Sequence, residues 1–223
     1  MREQKFDLLI FDWDGTLFDS TGLIVQCIQQ ACRDLGVAVP TAEAARHVIG
    51  LELLIALRTA VPNLSEEEGL RLVERYRHHY FAKQGDVVLF DGVPEFLKQC
   101  RDQGYMLAVA TGKGRKGLDA ALDSIGLRRM FDDTRTADET ASKPNPLMLH
   151  ELVQVLDTPI ERALMIGDTS HDIQMAVNAG MPSLAIAHGA HTVQTLSEFN
   201  AEQGMLGIVH SIHEMGDWLQ QHG

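Results

Sequence analysis

Asp12 and Asp14 stand one residue apart in "LLIFDWDGTLFDS", directly after an apolar run and directly before Gly15 and Thr16. Two carboxylates this close raise each other's pKa unless a cation neutralises them, so the pair points to a metal site or to a nucleophile with an acid/base neighbour. A second acidic cluster, Asp168 and Asp172 in "GDTSHD", follows another apolar run, "RALMIG". Magnesium takes a few carboxylate oxygens and keeps several waters, so Asp12 and Asp168 at neighbouring strand ends would suit it. Thr111 and Lys143, read at two further strand ends, add a hydroxyl donor and a compact positive charge. A nucleophile, an acid/base, a metal and donors around three equatorial oxygens are the parts of a phosphoryl-transfer site. Each residue also has a plainer reading. Asp12 and Asp14 suit local turn bonding, Asp168 and Asp172 an N-cap and first-turn acid, and Lys143 a solvated loop.

The elements that must position these residues are legible as apolar stretches of strand length: "DLLIF", "YMLAVAT", "RALMIG", "PSLAIA" and "GIV". From Val93 onward they alternate with helix-period segments, the mark of an α/β fold with a parallel sheet. Such sheets bind ligands beyond the carboxyl ends of their strands, where Asp12, Thr111 and Asp168 fall. Residues 20–86 break the alternation. Leu23, Ile24, Cys27, Ile28, Ala31, Cys32 and Leu35 recur at helical spacing before Gly36, and Ser65 with Glu68 forms a capping-box pattern ahead of "GLRLVERYRHHYF". The expectation is an α/β core of residues 1–19 and 87–223 with an all-helical insertion of residues 20–86.

Bulk properties exclude several partners. With 223 residues and a formal charge of −12, the chain lacks the basic footprint that nucleic acid or an anionic membrane demands. The three cysteines, Cys27, Cys32 and Cys100, form no CxxC pair and read as reduced, buried thiols. The opening "MREQKFDLLIF" lacks the long apolar stretch of a signal peptide, and no run is long enough to span a bilayer, so a cytoplasmic protein is expected.

One motif competes. "GKGRKG", residues 112–117, satisfies GxGxxG after a strand and before a helix, with Asp132 where a ribose-binding acid belongs. It implies a dinucleotide-binding module, but explains neither acidic cluster nor Lys143.

The chain resembles the haloacid dehalogenase-like hydrolase superfamily, in its branch of phosphoglycolate phosphatases and β-phosphoglucomutases. "DWDGT" matches the first family motif, "ATG" at 110–112 the second, "SKPNP" at 142–146 the third and "GDTSHD" at 167–172 the fourth. The resemblance implies a Rossmann-like parallel-sheet core with an inserted helical cap, and a Mg²⁺-dependent phosphatase acting on a small phosphorylated metabolite. It further implies that Asp12 attacks phosphorus to form an aspartyl-phosphate, and that Asp14 carries the proton while its backbone carbonyl binds magnesium. Thr111 and the Gly112 amide would hold phosphate oxygens, Lys143 would balance charge, Asp168 would ligate the metal, and Asp172 would be a second metal-shell or orienting carboxylate. The segment "ARHVIGLELL" sits where caps of this family recognise substrate, so Arg46 is a candidate to meet a substrate carboxylate or hydroxyl, with a surface salt bridge as its plainer reading. A phosphomutase that passes the phosphoryl group to a sugar hydroxyl is the alternative. Trp13 is expected to pack in the core, His171 to be a solvated loop residue, and His188 and His191 in "AHGAH" to be candidates for the site mouth.

Overall fold

A computed structural model describes residues 4–83, 85 and 87–223. Six strands, β1 (Leu8–Phe11), β2 (Met106–Thr111), β3 (Asp133–Thr136), β4 (Ala163–Gly167), β5 (Ser183–Ile186) and β6 (Met205–Val209), form one sheet in the order β3-β2-β1-β4-β5-β6. All pairs are parallel. This is a Rossmann-like α/β core. The strand order reverses at β1, which pairs with β2 on one side and β4 on the other, and a ligand crevice opens at such a switch point.

β1 is buried throughout because the sheet is covered on both faces, which is why it reads as continuously apolar. Its alternate side chains go opposite ways. Leu9 and Phe11 join Leu107, Val109, Leu164 and Ile166 in one core cluster, while Leu8 and Ile10 join Ala108, Ala110, Ala163 and Met165 in another. The first cluster packs against α5 (Val93–Asp102), α6 (Arg115–Ser124) and the C-terminal helix α9 (Ile212–His222), the second against α7 (Leu147–Val155) and α8 (Ser170–Ala179). Pro94 lies in the first turn of α5 as the sequence suggests.

Strand β3 has no counterpart among the apolar stretches. Its sequence is Asp-Thr-Arg-Thr, and it can be polar because it is an edge strand. Arg135 pairs with Asp133 and Glu151 there.

Between β1 and β2, helices α1 (Thr21–Leu35), α2 (Ala42–His47), α3 (Leu53–Ala60) and α4 (Glu66–Lys83) pack around a hydrophobic cluster of their own, including Ile28, Cys32, Leu57, Leu72 and Tyr76. Gly36 ends α1 in the left-handed region (φ 66°), and Ser65 and Glu68 exchange capping-box hydrogen bonds at the start of α4. The two chain crossings lie side by side. The Asp19 N–H donates to the Val88 carbonyl and the Phe90 N–H to that of Leu17. Residues 84 and 86, at the second expected boundary, lie outside the described residues, as do residues 1–3 of the first core segment. Among the described residues no helix is long and apolar enough to cross a membrane.

Leu72 has no exposed surface within the inserted unit's core. Leu72→Ala should lower stability in urea denaturation by about 2–5 kcal/mol; a loss below about 1 kcal/mol would mean the four helices do not depend on that cluster.

Candidate active site

β1 delivers Asp12 one residue beyond its last paired position, and the Asp12 N–H still donates to the Ile166 carbonyl of β4 (2.9 Å). The chain then turns. The Trp13 carbonyl accepts from Thr16, Leu17 and Phe18, and Gly15 takes φ 94°. Gly15 is required twice over, because a Cβ there would lie 2.3 Å from Asp168 Oδ2. Trp13 turns into the core, stacked on Phe18 and edge-on to Phe131.

Asp12, Asp168 and Asp172 are all fully buried, each with a carboxylate oxygen within 4.8 Å of the others'. Among the described residues a single buried ammonium faces them: Lys143 Nζ lies 2.6 Å from Asp12 Oδ1 and 2.6 Å from Asp172 Oδ1. Three carboxylates against one ammonium leave the cluster negatively charged in a place where charge is costly. Burial pushes the Asp12 carboxyl well above the ordinary carboxylate range; Lys143 opposes the shift and Asp172 adds to it. Burial, with Asp172 beside it, likewise raises Asp168 to about 7. Lys143 responds the other way: burial alone would lower it, but Asp12 and Asp172 hold its pKa above the usual lysine value. Asp12 Oδ2 is buried without a hydrogen-bond partner. An orphaned oxygen in an oxygen-only donor set is what a hard divalent cation fits, so the residues present suit Mg²⁺.

Asp168 is held by backbone as much as by side chains. Its Oδ1 accepts from the Thr16 hydroxyl (2.8 Å) and its Oδ2 from the Ala190 N–H (2.6 Å). A Cβ on Gly189 would lie 2.0 Å from Asp168 Oδ2. Asp172 is spoken for on both oxygens. Oδ1 meets Lys143, and Oδ2 accepts from the Thr169 N–H and hydroxyl in the capping box of α8. The N-cap is therefore Thr169 rather than Asp168, and Asp172 serves the helix and the lysine together.

Lys143 does not extend directly from a strand. It sits on the β3–α7 loop, seven residues past Thr136. Thr111 ends β2, buried, with its hydroxyl accepting from the Lys113 N–H (3.1 Å). The Asp14 carboxylate is not in the acidic cluster: Oδ1 accepts from the Ser20 hydroxyl (2.6 Å) and Oδ2 meets Lys113 Nζ (2.9 Å). Lys113 was missed in the sequence because it lies inside "GKGRKG". Arg46 is exposed on α2.

The inserted unit reaches this site through residues 47–52. A Cβ on Gly112 would lie 2.2 Å from the Gly50 carbonyl oxygen and 2.5 Å from that of Leu51. The Glu52 N–H donates to Ser142 Oγ (2.9 Å). The His47 carbonyl is approached by His171 Nε2 (2.8 Å) and His191 Nε2 (3.1 Å). His171 is therefore not a free loop residue but a bridge to the insertion, and His191 braces the same contact; His188 instead meets the Thr16 carbonyl (3.1 Å).

The dinucleotide reading of "GKGRKG" fails on two placements. Asp132 precedes β3, at the amino ends of the strands and away from the carboxyl ends, where it accepts from the Leu107 N–H and pairs with Arg101. The N-terminus of α6, where a pyrophosphate would sit, is taken by Asp138, which accepts from the Arg115 N–H (2.9 Å).

The haloacid dehalogenase-like hydrolase family pattern matches residues 9–186, which contain every residue of the cluster. The chain belongs to that family. Among its relatives, a protein named "probable phosphatase IndB" from Dickeya dadantii is 36% identical over 194 residues, covering 85% of this chain and 84% of its own. A phosphoglycolate phosphatase from Vibrio parahaemolyticus is 29% identical over 212 residues, covering 91% and 92%. A solved haloacid dehalogenase-like family hydrolase of Streptococcus pneumoniae superposes with a TM-score of 0.81 at 26% identity, covering 97% of this chain and 99% of that one. This haloacid dehalogenase-like hydrolase thus carries its acidic cluster at the switch point of its sheet, with the inserted helices lodged against the strand ends.

Two outcomes test the docking. Gly112→Ala should push the 47–52 loop away, seen as faster amide hydrogen exchange there; unchanged exchange would show that the loop tolerates a methyl group. His191 Nδ1 already accepts from the Ser170 N–H (3.0 Å), and burial lowers its pKa to about 4. Unfolded histidine takes its proton near pH ~6.5. The unfolded chain then binds more protons between those values, so the stability that His191 supplies is present above about 6.5 and lost as the pH falls towards about 4. His191→Gln should flatten the pH–stability curve in that window, and an identical slope in thermal melts would refute the assignment.

Proposed function

We propose that this hydrolase is a Mg²⁺-dependent phosphatase that releases phosphate from a small phosphorylated metabolite by way of an aspartyl-phosphate on Asp12. The observation that carries the reading is the state of Asp12. It is buried at the end of β1, paired through Oδ1 with Lys143, and has a second oxygen without a partner. Asp12, Asp168 and the backbone carbonyl of Asp14 would hold Mg²⁺, with Asp172 orienting Lys143. The bound ion would supply positive charge shared between carboxylate and phosphoryl oxygens.

In the first half of the reaction, Asp12 forms a bond to phosphorus as the bond to the leaving oxygen breaks, and Asp14 gives that oxygen a proton. In the second half, water attacks phosphorus, Asp14 takes the water proton, and the bond to Asp12 breaks to release phosphate. The Thr111 hydroxyl and the Gly112 N–H would donate to phosphoryl oxygens, and Lys143 would offset the charge they carry. The inserted helices would act as the cap: the carbonyls of Gly50 and Leu51 lie against Gly112, which supports exclusion of bulk water and a small leaving group. On α2, Arg46 is the nearest candidate in sequence for contact with the substrate's far end.

Phosphoglycolate heads the substrate panel because a Vibrio relative bears that name. The test is Mg²⁺-dependent release of phosphate from a panel of phosphomonoesters. Asp12→Asn should abolish turnover, and chelation should remove it reversibly. Sugar-phosphate isomerisation without phosphate release would replace this reading with a mutase, and turnover surviving in Asp12→Asn would end the aspartyl-phosphate mechanism.

A further inference from the structure

Lys113 is a cation beyond a strand end that the reading above leaves without work. It lies two residues beyond β2, its backbone N–H fixed on Thr111 Oγ1 (3.1 Å). Its ammonium is 2.9 Å from Asp14 Oδ2, with both side chains only 10% exposed. The same Nζ donates to the Tyr80 hydroxyl (3.1 Å) and stands 4.5 Å from the centre of the Tyr80 ring. Tyr80 belongs to α4 of the inserted unit, where it is buried and stacked on Tyr76 (ring centroids 5.8 Å apart). A lysine stem has several freely rotating bonds, so an ammonium is fixed between two elements only where both ends hold it.

Asp14 is thereby gripped from two sides. Ser20, at the entry to α1, holds Oδ1, and Lys113 holds Oδ2. The Lys113 grip is completed by a hydroxyl and a ring that arrive only with α4. Resting on the phosphatase reading, we propose that Lys113 is a positioning residue, which together with Tyr80 aims the Asp14 carboxylate for proton transfer and makes that aim depend on docking of the inserted helices.

p-Nitrophenyl phosphate separates this role from a structural one. Its leaving group departs without a proton, so formation of the aspartyl-phosphate does not call on Asp14. Hydrolysis of that intermediate does, because the attacking water must lose a proton as its oxygen bonds to phosphorus and the Asp12 bond breaks. In Lys113→Met, kcat should fall by about 10- to 100-fold while kcat/KM stays within about threefold, so that KM falls with kcat. A burst of about one p-nitrophenolate per enzyme should precede the slow steady state. Tyr80→Phe, which keeps the ring and removes the hydroxyl, should show the same split at about two- to tenfold.

A parallel fall of kcat and kcat/KM in Lys113→Met, or no change in either, overturns the proposal. Wild-type kinetics in Tyr80→Phe overturn the link to the inserted unit. Should Lys113→Met fail to fold by circular dichroism, the Tyr80→Phe split decides alone. Asp14→Asn is the control on the underlying reading. If it shows the burst and Lys113→Met does not, only the present proposal falls; if it hydrolyses at the wild-type rate, the acid/base assignment of Asp14 falls with it.

Discussion

Everything in this molecule is arranged around one electrostatic imbalance, three buried carboxylates meeting a single buried ammonium. Lys143 bridges Asp12 and Asp172, which lie 160 residues apart in the chain and share no local structure. Removing either partner of such a contact strands a charge in the interior, at a cost of about 3–5 kcal/mol. A fold can tolerate the arrangement only if it holds every member rigidly. The parallel sheet does this by ending β1 and β4 side by side, and the start of α8 adds a capping box that fixes Asp172 through Thr169. The charge compensation within the cluster is incomplete, and holding it in the interior costs stability that the rest of the fold must supply.

The same crowding dictates the glycines. Gly15 and Gly189 approach Asp168 from two loops, and Gly167 would place a Cβ 2.3 Å from the Asp172 carboxyl carbon. These positions lack side chains because carboxylates occupy the space. Gly112 serves a different constraint, close passage of the Gly50–Leu51 backbone. The inserted unit is thus seated by polar and backbone contacts: two histidine rings on one carbonyl, one N–H on Ser142, and a lysine on a tyrosine. Contacts of this kind separate at lower cost than an apolar seam.

Much of this was legible in the sequence where physics leaves a periodic or compositional trace. β1, β2 and β4 are apolar because they are buried on both faces, and α1 shows its spacing because one face is buried and the other is not. Asp12 and Asp168 drew notice because each carboxylate directly follows such a segment, and the structure brings them together. β3 left no trace, since an edge strand can be polar, and without it Lys143 could not be placed on its loop. His171 and His191 were illegible for another reason. Their partner is a backbone carbonyl, and a carbonyl carries no residue identity.

"GKGRKG" shows how a motif can be right about backbone and wrong about ligand. A dinucleotide fingerprint needs glycines for a tight turn and for close approach at a helix N-terminus, and both needs exist here. The close approach is to the protein's own Gly50 carbonyl, and the helix N-terminus is satisfied by the protein's own Asp138. What the fingerprint has no account of is Lys113, the residue between its first two glycines. Its stem runs from the end of β2 to Asp14 on one side and Tyr80 on the other, past Gly117, where a Cβ would lie 3.1 Å from Lys113 Cγ. Of the glycines that suggested a dinucleotide loop, one faces the insertion's backbone, one faces Asp138 and one faces the lysine that joins core to insertion, and only their three-dimensional partners distinguish the two readings.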